Sequence, residues 1–212
     1  LWPLHDEAAI NASLQVLHLL QTTEGVDQVI FLGDMLDLAE FSRHRSAPGF
    51  FGSLQLSINR NTTLLAAVHA ITPDAQKTYI KGNHEIRIEN TITDKMPDLL
   101  GLTRAEGSDP VLSLEYLCRF KEYGFDSVGD YPNGEHWIND GFRAIHGHEV
   151  SSGKGATSAK MLSKGFSTVF GHIHRAELVW GRRTKNTGSE QVWAGSPGCL
   201  TKIDGQIPSY HT

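Results

Sequence analysis

Residues 167–174 read Ser-Thr-Val-Phe-Gly-His-Ile-His. A short apolar, β-branched run that stops at a glycine has the pattern of a buried strand running into a functional loop. This loop presents two imidazoles at once. Three other stretches repeat the arrangement of strand, glycine and metal-capable residue: VIFLGD at 29–34, TYIKGN at 78–83 and RAIHGH at 143–148. In open α/β sheets, ligands bind outside the carboxyl ends of strands, where loops from several strands converge. Asp34, Asn83, His146 and His172 are therefore expected at one rim although they lie far apart in the chain.

Between these stretches the periodicity is helical. Apolar residues at helical spacing predict helices over 8–20 and 54–70, and Pro73 closes the second. Strands are expected at 28–32 and 77–80. Residues 109–123 open on Asp-Pro, continue helically and end at Gly124, a suitable C-cap, so one helix is expected there. YPNG at 131–134 signals a turn. Residues 135–138 and 142–145 predict a hairpin through Asn139-Asp140-Gly141. A helix is expected over 155–162, a strand over 167–170 and a last strand over 191–194, before a Gly-Ser-Pro-Gly turn. With no internal repeat, low-complexity segment or clear linker, residues 1–212 read as a single α/β domain.

Composition bounds the function. The 212 residues carry a net charge of −5 with 39% hydrophobic and 20% charged residues, an ordinary globular balance. An acidic chain lacks the cationic excess with which an extended nucleic-acid-binding surface displaces counterions, although a local basic pocket for one phosphate stays open. Two cysteines, Cys118 and Cys199, are too few for a disulfide framework and suit a reduced cytoplasmic setting. No apolar run reaches the roughly 18 residues that a membrane-spanning helix needs. Neither a membrane partner nor a signal peptide is expected.

Eleven histidines are many for this length, and their placement matters more than their number. Four fall in His146-Gly147-His148 and Gly171-His172-Ile173-His174, and a fifth in Gly82-Asn83-His84-Glu85. A carboxylate, a carboxamide and several imidazoles, with no thiolate, make an oxygen and nitrogen donor set that suits Mn, Fe or Zn. If residues 171–174 are extended, His172 and His174 point the same way and reach neighbouring cations. Asp34 could bridge two ions roughly 3.5–4 Å apart. Each short motif has an ordinary alternative: a Gly-Asp turn, an Asn in a left-handed turn, a loop with satisfied histidines. Four of them in order, each ending a strand, favour the metal.

As an ordered set these residues resemble the calcineurin-like metallophosphoesterases, whose blocks run Asp-x-His, Gly-Asp-x-x-Asp, Gly-Asn-His-Asp/Glu, His and Gly-His-x-His. Gly33-Asp34-Met35-Leu36-Asp37, Gly82-Asn83-His84-Glu85, His146-Gly147-His148 and Gly171-His172-Ile173-His174 match the last four. The flanking HDEAAI (5–10), LAEFSRHR (38–45) and GHIHR (171–175) look like the small phage and prophage branch, which would place the protein in the host cytoplasm. The resemblance implies a four-layer αββα sandwich with two mixed β-sheets and a site at the strand carboxyl ends. It implies two divalent metal ions (Mn, Fe or Zn), with Asp34 bridging, Asn83, His146 and His172 completing one site, and His174 binding the other. His84 would sit beside the scissile phosphate, oriented by Asp37. His148 would lie behind the ligands or face substrate. The Asp-x-His block is not found in residues 1–212, and His5-Asp6 has the wrong spacing to replace it. The expectation is a chain clipped just after that block and short of one strand, leaving Asp34 and His174 alone at the first metal.

The activity so implied is hydrolysis of a phosphate ester, with nucleotides among the candidate substrates, by hydroxide generated from water between two cations. His84 would stabilise the transition state or protonate the leaving oxygen. Arg87 and Arg175 follow two of the metal blocks and are candidates for phosphate contact. Arg43, His44 and Arg45 hold a similar place after Asp37. Each of these is equally compatible with a solvated surface residue. Two other readings stand: a DNA exonuclease or endonuclease of the same superfamily, which would need a basic groove, and a non-catalytic metal-stabilised scaffold.

Overall fold

The computed structural model describes residues 4–42, 53–186 and 188–202. It is a mixed α/β structure with two β-sheets and, among the described residues, six α-helices. A parallel three-stranded sheet has the order β1-β2-β3: β1 (Gln28–Phe31), β2 (Gln76–Tyr79) and β3 (Phe125–Ser127). A five-stranded sheet has the order β4-β5-β6-β8-β7: β4 (Glu135–Asn139), β5 (Phe142–Ile145), β6 (Ser167–Phe170), β7 (Ala176–Lys185) and β8 (Gly188–Pro197). In it β5, β6 and β8 run parallel, while β4 and β7 are antiparallel edge strands.

Two long helices lead into the first two strands. Helix α1 (Glu7–Thr23) is capped by Asp6, whose carboxylate accepts from the N–H groups of Ala8 and Ala9, as N-caps do. Helix α2 (Leu54–Ile71) buries Ile58, Leu65 and Val68. These residues join Leu36, Tyr79, Phe120 and Phe125 in the larger core. A second core gathers Ile145, Phe170, Ile173 and Ala194 against Met161 of α6 (Ala156–Leu162).

The elements expected at 8–20, 28–32, 54–70, 77–80, 155–162 and 167–170 are present to within a few residues, and the 135–145 hairpin forms, with Asn139 Oδ1 accepting from Gly141 N–H in its turn. Among the described residues only the five-stranded sheet is mixed, where two mixed sheets were expected. Three expectations of single elements also need correction. The single helix at 109–123 is two short ones, α4 (Leu114–Leu117) and α5 (Phe120–Tyr123), separated by Arg119 at φ 61°. Leu114 and Cys118 share one helical face, and Phe120 would sit roughly 200° around a continuous helix. The break turns Phe120 into the same core. The last strand is ten residues long and pairs with β7, which was not anticipated. Helix α3 (Arg87–Lys95), which buries Ile88 and Ile92, was also missed.

The outer side of β1 carries no strand among the described residues. A mostly apolar cavity of about 880 Å³ runs along it, lined by Leu14, Leu17, Ile30 and Leu64 and reaching Asp34, His172 and His174. Helix α1 has no buried residue, and its Val16, Leu19 and Leu20 are exposed. No described helix is long and apolar enough to cross a membrane.

Candidate metal centre

The four glycine-containing loops do converge, each at the carboxyl end of a parallel strand. β1 delivers Gly33-Asp34, β2 delivers Gly82-Asn83-His84, β5 delivers His146 and β6 delivers Gly171-His172. Ligand-capable atoms of Asp34, His146 and His172 lie within 4.8 Å of one another, the one such acidic and histidine group among the described residues. Asn83 Oδ1 sits among them, 2.9 Å from His172 Nδ1 and 3.2 Å from His146 Nε2. Asp34 Oδ2 is 3.3 Å from His146 Nε2.

Local backbone explains how four chain segments come so close. Gly33 (φ 84°) and Asp34 (φ 56°) are both left-handed, a conformation that non-glycine residues seldom adopt. A Cβ on Gly33 would fall 2.7 Å from Gly82 N, His146 Nδ1 and Ile80 O, and a Cβ on Gly82 would run into the Asp34 carboxylate. Glycine is thus demanded by close approach as well as by the turn. The segment 171–174 is not extended. His172 (φ 64°) and His174 (φ 59°) are left-handed, and Ile173 N–H bonds back to Gly171 O at 2.8 Å. Ile173 turns into the second core, so the two histidines are set by a compact turn and not by strand alternation.

Protons are also placed. His146 Nδ1 lies 2.5 Å from the Leu32 carbonyl. Donation there turns Nε2 towards Asn83 and Asp34. Burial opposes protonation of His146, but the Asp34 charge and hydrogen bond raise its pKa overall, so a cation binding at Nε2 would displace a proton. Burial alone would raise the Asp34 pKa, but the His146 charge and hydrogen bond, with His84 beside it, outweigh burial and hold the carboxyl below its usual range. Burial, reinforced by the His146 charge, lowers His172 to about 4, so its imidazole is neutral. An ionised carboxylate, a carboxamide oxygen and two imidazoles, mostly buried and mutually within ligand reach, fit a divalent cation.

Beside this group stands a second one. His84 Nδ1 is 2.9 Å from Asp37 Oδ1, and its Nε2 is 3.9 Å from Asp34 Oδ2. Burial opposes protonation of His84, yet the Asp37 hydrogen bond and the Asp34 charge raise its pKa overall. Arg87 donates to the Asp37 carbonyl at 2.6 Å and places Nη2 3.3 Å from His84 Nε2. The expected pairing of His84 with Asp37 is therefore present, with Arg87 at its side.

The remaining candidates are placed differently. His174 is outside the Asp34-His146-His172 group and lines the cavity. His148 is half exposed, 4.0 Å from Glu149. Arg175 bonds Glu177 at 2.5 Å and the Ser151 carbonyl at 2.7 Å, tying down the 151–157 loop. Arg43, His44 and Arg45 lie outside the described residues. Two residues that carried no assigned role belong to the site. Tyr131 sets its ring edge-on to His146 at 5.9 Å, and only a turn signal marked it. Glu85 is buried beneath both loops, and its place after Asn83-His84 was the available clue.

The chain matches no known family model, and no curated protein or solved structure matches it.

Proposed function

We propose that the protein is a metal-dependent hydrolase of phosphate esters, built on the calcineurin-like four-layer plan. The observation that carries this reading is the meeting of Asp34, Asn83, His146 and His172 at four strand ends, with the His84–Asp37 pair alongside. Divalent ions bound there would neutralise phosphoryl charge and lower the pKa of water. The chain's own residues would do the rest. Asp37 fixes the His84 ring through Nδ1, leaving Nε2 as the atom that would carry a proton to a leaving oxygen once the Arg87 N–H facing it turns to the phosphate. Arg87, already against that Nε2, supplies a guanidinium whose fork suits phosphate oxygens. Asp34, kept anionic, and His172, kept neutral, need shed no proton to accept a cation.

A two-ion site needs ligands beyond this cluster. His174, on the cavity wall, supports a first-ion site on that side. Among the described residues the outer side of β1 carries no strand, and the cavity there joins His174 to Asp34 and His172.

The test is hydrolysis of bis-p-nitrophenyl phosphate with Mn²⁺, run beside a phosphomonoester and single-stranded DNA. Turnover of the diester that requires metal and collapses in His84→Ala is the expected result. Metal-independent turnover, or none on any of the three substrates, overturns the reading.

A further inference from the structure

We propose that Glu85 is a positioning residue for this centre, holding the Asp34 loop and the Asn83 loop in the one relative placement at which both donors reach a cation. The inference rests on the metal-binding reading above. Glu85 is 1% exposed. Its Oε2 accepts from Asp34 N–H and Gly82 N–H, each at 2.8 Å. Its Oε1 accepts from Met35 N–H at 2.7 Å, Tyr79 O–H at 2.9 Å and Leu36 N–H at 3.4 Å. A carboxylate has about four lone-pair directions, and four close donors fill them, with Leu36 N–H a longer fifth. Glu85 is thus turned to the backbone of both loops.

The link runs both ways. Glu85, two residues after Asn83, grips the backbone of Asp34. The His84 N–H, from the Asn83 loop, donates to Asp34 Oδ1 at 3.0 Å. The left-handed backbone at Gly33 and Asp34 presents successive N–H groups to one side, and the carboxylate caps them as an anion caps a nest of amides. Bonds donated to an ionised acceptor are roughly twice as strong as neutral ones. Neither ligand loop can shift without breaking bonds to the other.

Glutamine fills the same space but replaces one acceptor oxygen with an NH₂ that confronts backbone N–H donors. Aspartate keeps the charge and falls one methylene short. Calorimetric titration with Mn²⁺, below the melting temperature of every variant, separates positioning from simple stability. Glu85→Gln is expected to melt lower and to bind Mn²⁺ roughly 10- to 100-fold more weakly, the usual cost of losing a residue that orients ligands. Its Co²⁺-loaded form should show an altered visible spectrum. Leu65→Ala, a core truncation at a fully buried position, should melt lower and bind Mn²⁺ as the wild type does. If Glu85→Gln does not fold, Glu85→Asp carries the same expectation.

Wild-type affinity and an unchanged Co²⁺ spectrum in either folded Glu85 variant would overturn the proposal, as would loss of fold in both. Those results leave the metal reading intact. A wild-type protein that takes up no Mn²⁺ or Co²⁺ removes the metal reading and this one together.

Discussion

β1 and β2 are parallel neighbours of four residues each, and they live in different surroundings. Three of the four residues of β2 are buried, and none of β1 is. Among the described residues β2 is bonded on both sides, whereas β1 is bonded on one side and meets the cavity on the other. The centre above them inherits the difference. On the β2 side, Glu85 and His84 bond Asp34, and Gly82 N–H shares the same Glu85 oxygen, in a crowded arrangement with no space for a Cβ at Gly33 or Gly82. On the cavity side His174 stands outside the ligand group. The difference teaches that strand-end crowding, more than the histidines themselves, brings donor atoms together: the same Gly-His-Ile-His turn puts His172 within 4.8 Å of Asp34 and His146 and leaves His174 outside that group.

That comparison can be broken experimentally. The largest effect is expected at the closed side: His84→Ala should lower kcat by about 10²–10⁴-fold, the usual worth of a positioned acid or base, with metal content unchanged by elemental analysis. Equal loss of metal would move His84 from proton transfer to ligation. Next comes stability. Leu65→Ala should cost about 2–5 kcal/mol in chemical denaturation, as buried leucine truncations do, while Leu17→Ala, half-buried on the cavity wall, should cost about 1 kcal/mol. Equal costs would mean that the cavity is filled in solution. The smallest effect is expected at Trp180, 56% exposed on an edge strand, where Trp180→Ser should stay within about 0.5 kcal/mol.

Much of the site was legible in the sequence because a strand ending in glycine and a donor residue is a local signal. The position of Asp34, Asn83, His146 and His172 at one rim then follows from the rule for parallel strands. The turn at 171–174 was not legible, since burial of Ile173 in the second core is a tertiary fact that overrides strand alternation. Glu85 was named within its block but given no role, for a related reason: three of its partners are backbone N–H groups some fifty positions away, invisible to side-chain pattern. In the fold, β7 was missed because its residues alternate without a buried face to mark them, with Leu178 and Trp180 exposed. Helix α3 was missed because only Ile88 and Ile92 mark its buried face. The break at Arg119 answers the demand of Phe120 for the core, which no local propensity announces.

The measurement that bears most directly on the centre is calorimetric titration of Mn²⁺ into the wild-type protein, His172→Ala and His148→Ala. The account predicts uptake by the wild type, unchanged uptake by His148→Ala, and a loss of affinity in His172→Ala of at least the roughly 100-fold that an outer partner alone can cost. No uptake by the wild type, or the same affinity in all three proteins, would contradict it.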